Sequence, residues 1–180
     1  MKKVLAFIAA ALMTGCVQNQ NKEAAQLSQY SVEQLDGSEE ITPIDTVEVR
    51  QRVTEMYDEI FALYNKSDEA ADGVLQMFND MFLSRDFRNL DSTLSARQSD
   101  EVFPDYDHWI QGQDWQNLSY SIDTISTLPG SRAMVQMNIV NFGHPQALQL
   151  IMVKDDSLWM IDDFVTEFSE KQAMKELLQK

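Results

Sequence analysis

The chain has 180 residues, 14 basic against 29 acidic, with two histidines, one cysteine and a formal net charge of −15. So acidic a balance excludes nucleic acid and anionic head groups as natural partners, because affinity for phosphate needs clustered Lys and Arg. A single cysteine excludes an internal disulfide framework, so the fold must be held by its core.

Residues 1–15 carry Lys2 and Lys3, an uncharged run from Val4 to Met13, and the small pair Thr14-Gly15. This is the pattern of a secretory signal peptide. A membrane-spanning helix needs about 20 apolar residues, and Val17-Gln18-Asn19-Gln20 ends the run well short of that. The stretch Leu12-Met13-Thr14-Gly15-Cys16 resembles a bacterial lipobox. The resemblance implies that Cys16 is acylated and becomes the first residue of the mature protein, an anchor rather than a stray thiol. The bland alternative is an incidental residue near an ordinary cleavage site. Loss of residues 1–15 leaves 12 basic against 29 acidic residues, a formal charge of −17. Lipid and not charge must then hold the protein to its membrane, several acyl chains binding firmly where one alone is marginal. The expected location is the bacterial cell envelope, at the outer membrane, on its periplasmic side or at the cell surface.

Residues 16–43 are rich in Gln, Asn, Glu and Ser without a sustained period, and read as a flexible tether. Residues 44–180 are enough for one domain with a sizeable core. Asp45 with Glu48 three residues on resembles a capping box, and Val49, Val53, Met56, Tyr57, Ile60, Phe61 and Tyr64 then recur at helical spacing. Asn65-Lys66-Ser67-Asp68 breaks the period and can cap a second helix with Val74, Leu75, Phe78, Met81 and Phe82 as its apolar positions. A third, shorter helix is predicted over Phe87 to Arg97.

After Gly112 the period changes to two. Leu118, Tyr120 and Ile122 alternate with polar residues, Leu128-Pro129-Gly130-Ser131 supplies a tight turn, and Ala133, Val135, Met137 and Ile139 line the return strand. Asn141 to Pro145 turns again, Ala147 to Lys154 makes a third strand, Asp155-Asp156-Ser157 a third turn, and Leu158 to Thr166 a fourth strand. Connections this short force antiparallel neighbours. A last helix opens at Ser169, with Gln172 at the capping-box position. Helices followed by hairpin-linked strands predict an α+β fold: N-terminal helices packed on a curved four-stranded antiparallel sheet, closed by a C-terminal helix.

The order of elements, with a strand reading Asp156-Ser157-Leu158-Trp159-Met160-Ile161-Asp162-Asp163-Phe164, resembles the cone-shaped nuclear transport factor 2-like superfamily. More narrowly, that strand together with Asp105-Tyr106-Asp107-His108-Trp109-Ile110-Gln111-Gly112-Gln113-Asp114-Trp115 resembles the bacterial domain of unknown function 3828 family. The likeness covers about Val47 to Val165, and His108 stands where the family pattern leads one to expect proline. The resemblance implies a fold and an envelope address but no activity. It also implies that two sheets can pair into a homodimer, which is common in the superfamily.

Asp105, Asp107, Gln113 and Asp114, beside Trp109 and Trp115, form the densest polar cluster outside the tether and are candidate ligand-binding residues. Carboxylates two residues apart can share a hard cation, but no loop supplies the remaining ligands; the alternative is that they accept backbone N–H groups and cap turns. Alternation along the last strand puts Asp163 on one face with Trp159, Ile161 and Val165, where an acid must be paired, hydrogen-bonded or raised in pKa. Trp159 and Asp163 therefore join the candidates. In ketosteroid-isomerase-like members of the superfamily such a carboxylate acts as general base and a Tyr from the long helix donates to an oxyanion, roles that would fall to Asp163, Tyr57 and Tyr64. Two histidines without further spaced ligands make no zinc site, no Gly-x-Ser-x-Gly occurs, and no cofactor is expected. The expected function is non-catalytic binding of a small apolar ligand or an envelope protein by a membrane-anchored domain; the alternative is an isomerase or dehydratase using a carboxylate in the cone cavity.

Overall fold

The computed structural model describes residues 41–66, 72–97 and 106–179. The expected signal peptide, Cys16, most of the expected tether, Ser67-Asp68 and Asp105 lie outside the described residues.

The first helix, α1 (Thr46–Tyr64), is opened by Asp45, whose Oδ1 accepts the N–H groups of Val47 at 2.9 Å and Glu48 at 3.2 Å. Two otherwise orphaned donors of the first turn are thereby satisfied. All seven apolar positions read from the sequence, from Val49 to Tyr64, are buried. The helix lies across the sheet: the Arg50 guanidinium donates to the Ile122 carbonyl at 3.2 Å and that of Arg52 to the Trp159 carbonyl at 3.1 Å. A second helix, α2, spans Asp72–Phe82. The third, α3, spans Arg85–Ser95 and starts two residues before the sequence reading, because the Ser84 hydroxyl caps it by accepting the Phe87 N–H at 3.1 Å.

Four antiparallel strands follow in simple meander order: β1 (Ser119–Leu128), β2 (Arg132–Asn141), β3 (His144–Asp155) and β4 (Leu158–Val165). All three hairpin turns place residues at positive φ: Gly130 and Ser131, Phe142 and Gly143, then Asp156 and Ser157. Gly143 at φ 75° meets that demand without strain, whereas the last turn meets it with two non-glycine residues. The last helix, α4 (Glu170–Gln179), packs on α3 and β4. Helices on one face of an antiparallel sheet make the protein α+β, as the element order predicts.

The core lies between α1 and the sheet. Val135, Met137, Ile139, Leu148, Leu150, Met152, Trp159, Ile161 and Phe164 supply its floor, and the rings of Tyr57, Phe61, Phe82 and Trp109 fill the space above. Each buried side chain of this size stabilises the fold by about 1.5–3 kcal/mol relative to exposure.

β4 departs from simple alternation. Ile161 pairs with Met152 and Asp163 with Ile151, leaving Asp162 as an unpaired extra residue. A bulge of this kind reverses the phase of everything beyond it. Trp159, Ile161 and then Phe164 face the main core, while Val165 joins Leu128, Met134 and Ile151 in a second small cluster on the opposite face. Asp163 therefore does not share a face with Trp159 and Ile161, contrary to the alternation read from sequence.

Candidate functional site

The segment 106–112 and the start of α4 bring six titratable side chains into one buried neighbourhood. Isolated bridge pairing of Asp107 with Gly112 closes the segment on itself, Asp107 N–H donating to the Gly112 carbonyl at 3.0 Å. Asp107 Oδ1 accepts the Trp109 N–H at 2.8 Å, the local turn that Asp favours, and its Oδ2 accepts the Tyr64 hydroxyl. This ties the last turn of α1 to the segment and drives Trp109 inward. The indole of Trp109 stands edge-on to Tyr57, Phe82 and Phe164, with centroids 6.1, 6.3 and 5.4 Å away, and its Nε1–H donates to Asn79 at 2.9 Å. His108 stacks on Phe164 at 4.5 Å.

Glu170, the first residue of α4, is 1% exposed. Its Oε1 accepts the Tyr106 hydroxyl at 3.0 Å, and its Oε2 lies 3.9 Å from His108 Nδ1. Burial pushes its carboxyl up to about 8, with the charges of Asp163 and Asp107 adding to the rise and the hydrogen bond from Tyr106 opposing it. Burial also pulls His108 down to about 4 against the opposing pull of Asp107. Burial thus disfavours the charged form of each of the two facing groups. The Tyr57 hydroxyl is raised well above its ordinary range, by burial first and then by Glu170 and Asp107. Tyr57 Oη, His108 Nε2 and Glu170 Oε2 have no hydrogen-bond partner among the described residues.

Asp163 adjoins this neighbourhood but is committed elsewhere. One carboxylate oxygen accepts the Ser169 hydroxyl and the other the Lys171 N–H at 2.9 Å, while Ser169 Oγ in turn accepts the Gln172 N–H at 2.9 Å. Asp163 and Ser169 together thus cap α4. Burial moves the Asp163 carboxyl up to about 6, the bonds from Ser169 and Lys171 limiting the rise. Its neighbour Asp162 accepts the Ser84 hydroxyl and the Lys171 ammonium, both at 2.6 Å.

The sequence candidates divide accordingly. Asp107 and Trp109 turn inward, together with Tyr57 and Tyr64. Gln113 and Asp114 are exposed. Trp115 leaves the group to stack edge-on to Tyr64 at 5.0 Å and to donate to the Tyr64 carbonyl at 2.9 Å. Trp159 is buried with the Lys154 ammonium 5.3 Å above its ring. Neither tyrosine hydroxyl bonds Asp163. Glu170 was not among the sequence candidates, since an acid in the first turn of a helix is ordinarily a solvated favourable charge. The signal that could have exposed it is Ser169 before it and Met174 after it, which turn this stretch of the helix toward the core.

Among the described residues no group of three or more His, Cys, Asp or Glu could hold a metal ion, and no helix is long and apolar enough to cross a membrane. No family model, no curated protein and no solved structure matches the chain. The fold and the buried neighbourhood stand on their own packing, and the family resemblance on the sequence motifs that carry it.

Proposed function

We propose that this chain is a lipid-anchored protein of the bacterial cell envelope, of the domain of unknown function 3828 kind within the nuclear transport factor 2-like superfamily, and that its domain binds a protein partner without catalysing a reaction. The observation that carries the non-catalytic reading is the placement of Asp163: the β4 bulge takes it off the face of Trp159 and Ile161, and neither the Tyr57 nor the Tyr64 hydroxyl bonds it. The isomerase or dehydratase reading needs a base that faces the cavity together with a tyrosine, whereas Asp163 bonds Ser169 and the Lys171 N–H at the start of α4. Phe61, Phe78 and Trp159 are 4%, 6% and 2% exposed and sit in the main core. Their packing favours a protein partner at the surface over a small apolar ligand inside.

The anchor and the partner class are tested separately. Growth of the native host with an alkyne-bearing fatty acid should label the wild-type protein and leave Cys16→Ser unlabelled; equal labelling of both overturns the anchor. Native mass spectrometry of protein purified from its host should show the polypeptide with its acyl chains and no further small molecule. A retained apolar compound at one per chain would overturn the protein-partner reading.

A further inference from the structure

The two edges of the sheet are unlike. The edge of β4 is covered: Leu83 bridges Ile161, the Ser84 N–H donates to the Ile161 carbonyl at 2.7 Å, and Ser169 bridges Val165. The edge of β1 is closed only over its first half. Asn65 at the end of α1 clamps Leu118 through both its amide atoms at 3.0 Å, and Arg50 takes the Ile122 carbonyl. The register then shifts between Ile122 and Thr124, so that Asp123 is the extra residue of a bulge.

Beyond that bulge, among the described residues, nothing pairs with the outer side of Thr124-Ile125-Ser126-Thr127-Leu128. Arg50 can reach the Ile122 carbonyl from α1 only if that carbonyl points out of the sheet. Antiparallel pairs alternate between exchanging bonds and facing away. Carried across the bulge, the alternation turns the N–H and C=O of Ile125 and Thr127 outward. Natural edges are blunted by Lys, Pro, inward charges or bulges; beyond the bulge at its entry this stretch contains none, and it is made of β-forming Thr and Ile with Ser.

The flank of this edge is acidic. The Tyr120 hydroxyl donates to Asp58 at 2.7 Å, which sets α1 beside β1 with Asp58 exposed on it, and Asp123 is exposed at the bulge. The cations beside it are engaged with main chain, Arg50 with the Ile122 carbonyl and Arg132, opposite Leu128, with the Pro129 carbonyl at 2.9 Å. Val47, one turn before Arg50 on the same side of α1, is 73% exposed and offers an apolar contact.

We propose that the Thr124–Leu128 half of β1 is a docking edge that takes an extended, lysine- or arginine-flanked segment of a partner protein as a fifth strand. Main-chain bonds to Ile125 and Thr127 would supply affinity, alternate side chains would meet Val47, and Asp58 and Asp123 would select a basic partner over an acidic one. The proposal rests on the reading of the domain as a protein-binding module and names the surface and the chemistry of the partner.

The test uses the chain from residue 16 with Cys16→Ser and two synthetic peptides of alternating Val and Thr, one flanked by two lysines at each end and one by two glutamates. Amide chemical shifts of the labelled protein should move at residues 123–128 with the lysine peptide and not with the glutamate peptide, and the binding should weaken as salt rises. Thr127→Pro removes an outward N–H without removing a ladder bond, and should weaken binding about tenfold; unchanged shifts elsewhere in its spectrum establish that it folds. Equal binding of both peptides, shifts confined to other surfaces, or full binding by Thr127→Pro overturns the proposal. Saturation of the edge by residues 16–40 of the same chain, seen as peptide binding only after their removal, overturns it too. A host partner photo-crosslinked from a residue elsewhere, such as Phe142, would leave the protein-binding reading intact and sink the β1 edge alone.

Discussion

The Ser169 hydroxyl donates a hydrogen bond to Asp163 while its own oxygen accepts the N–H of Gln172 at 2.9 Å, so the first turn of α4 hangs on the β4 bulge. The bulge residue Asp162 takes the Lys171 ammonium at 2.6 Å from the same turn. Two adjacent aspartates on one strand therefore form the socket for the last helix, and a sequence position that reads as a catalytic acid performs structural work.

Replacing Asp163 by Ala should destabilise the domain by about 2–3 kcal/mol, since it strands the Ser169 hydroxyl and the Lys171 N–H in a buried place. Asp163→Asn, which keeps one acceptor oxygen, should cost about 1 kcal/mol. Urea unfolding of the two variants measures both. An alanine variant as stable as wild type would return Asp163 to the list of functional acids, because residues kept for chemistry are commonly dispensable for folding.

What could be read from the residues followed physical period. α1 announced itself because seven apolar residues at helical spacing have one face to bury, and the meander because turn chemistry separates four runs of alternation. The phase of β4 beyond Asp162 was not legible: Asp162-Asp163 looks the same whether or not a bulge intervenes, and the register is fixed by β3 across the ladder. Glu170 and His108 were hidden for a related reason. Their burial depends on how α4 and the 106–112 segment meet, and no local pattern encodes that meeting. Asn65, in the stretch that breaks the helical period, stands at the C-cap of α1 and also clamps Leu118, a partner 53 residues away that no local pattern names.

That clamp gives a second expectation. Asn65 donates to the Leu118 carbonyl and accepts the Leu118 N–H, each at 3.0 Å, joining residues 53 positions apart in the chain. Asn65→Ala removes two bonds that hold the entry of β1 under the end of α1. The loss should be about 1–3 kcal/mol, and hydrogen exchange at the Leu118 amide should accelerate more than at amides of the β2–β3 ladder. Uniform acceleration across the sheet would mean that the clamp contributes only through global stability.

The turn between β3 and β4 holds Asp156 at φ 48° and Ser157 at φ 74°. Side-chain-bearing residues in this region are strained, and the two-residue hairpin turn they form prefers Gly at its second position. Ser157→Gly should therefore raise stability by about 1 kcal/mol, seen as a Tm increase of a few degrees. No loss of packing accompanies the change, since Ser157 is exposed. A lower Tm would show that the serine side chain makes a contact worth more than the strain it bears.

Stability should fall as pH rises from neutrality. Glu170 keeps its proton in the folded state up to about 8, whereas the unfolded chain releases it near 4.5; the stabilisation is complete below 4.5 and is lost as pH climbs through 8. Asp163, raised from 3.8 to about 6, has the same sign over a lower window. His108, depressed from 6.5 to about 4, has the opposite sign: the unfolded chain takes up its proton first, so stability is lost as pH falls from 6.5 to 4. The three partly cancel between pH 4 and 6.5, and above 6.5 only Glu170 of the three still titrates. Unfolding free energy should therefore drop by roughly 2 kcal/mol from pH 6.5 to 8 at one pKa unit per 1.36 kcal/mol. Glu170→Gln, uncharged throughout, should flatten that limb while leaving the acid limb from His108 in place. Urea titrations of both proteins at the two pH values decide it, and an equal slope in the Gln variant would assign the alkaline loss to some other group.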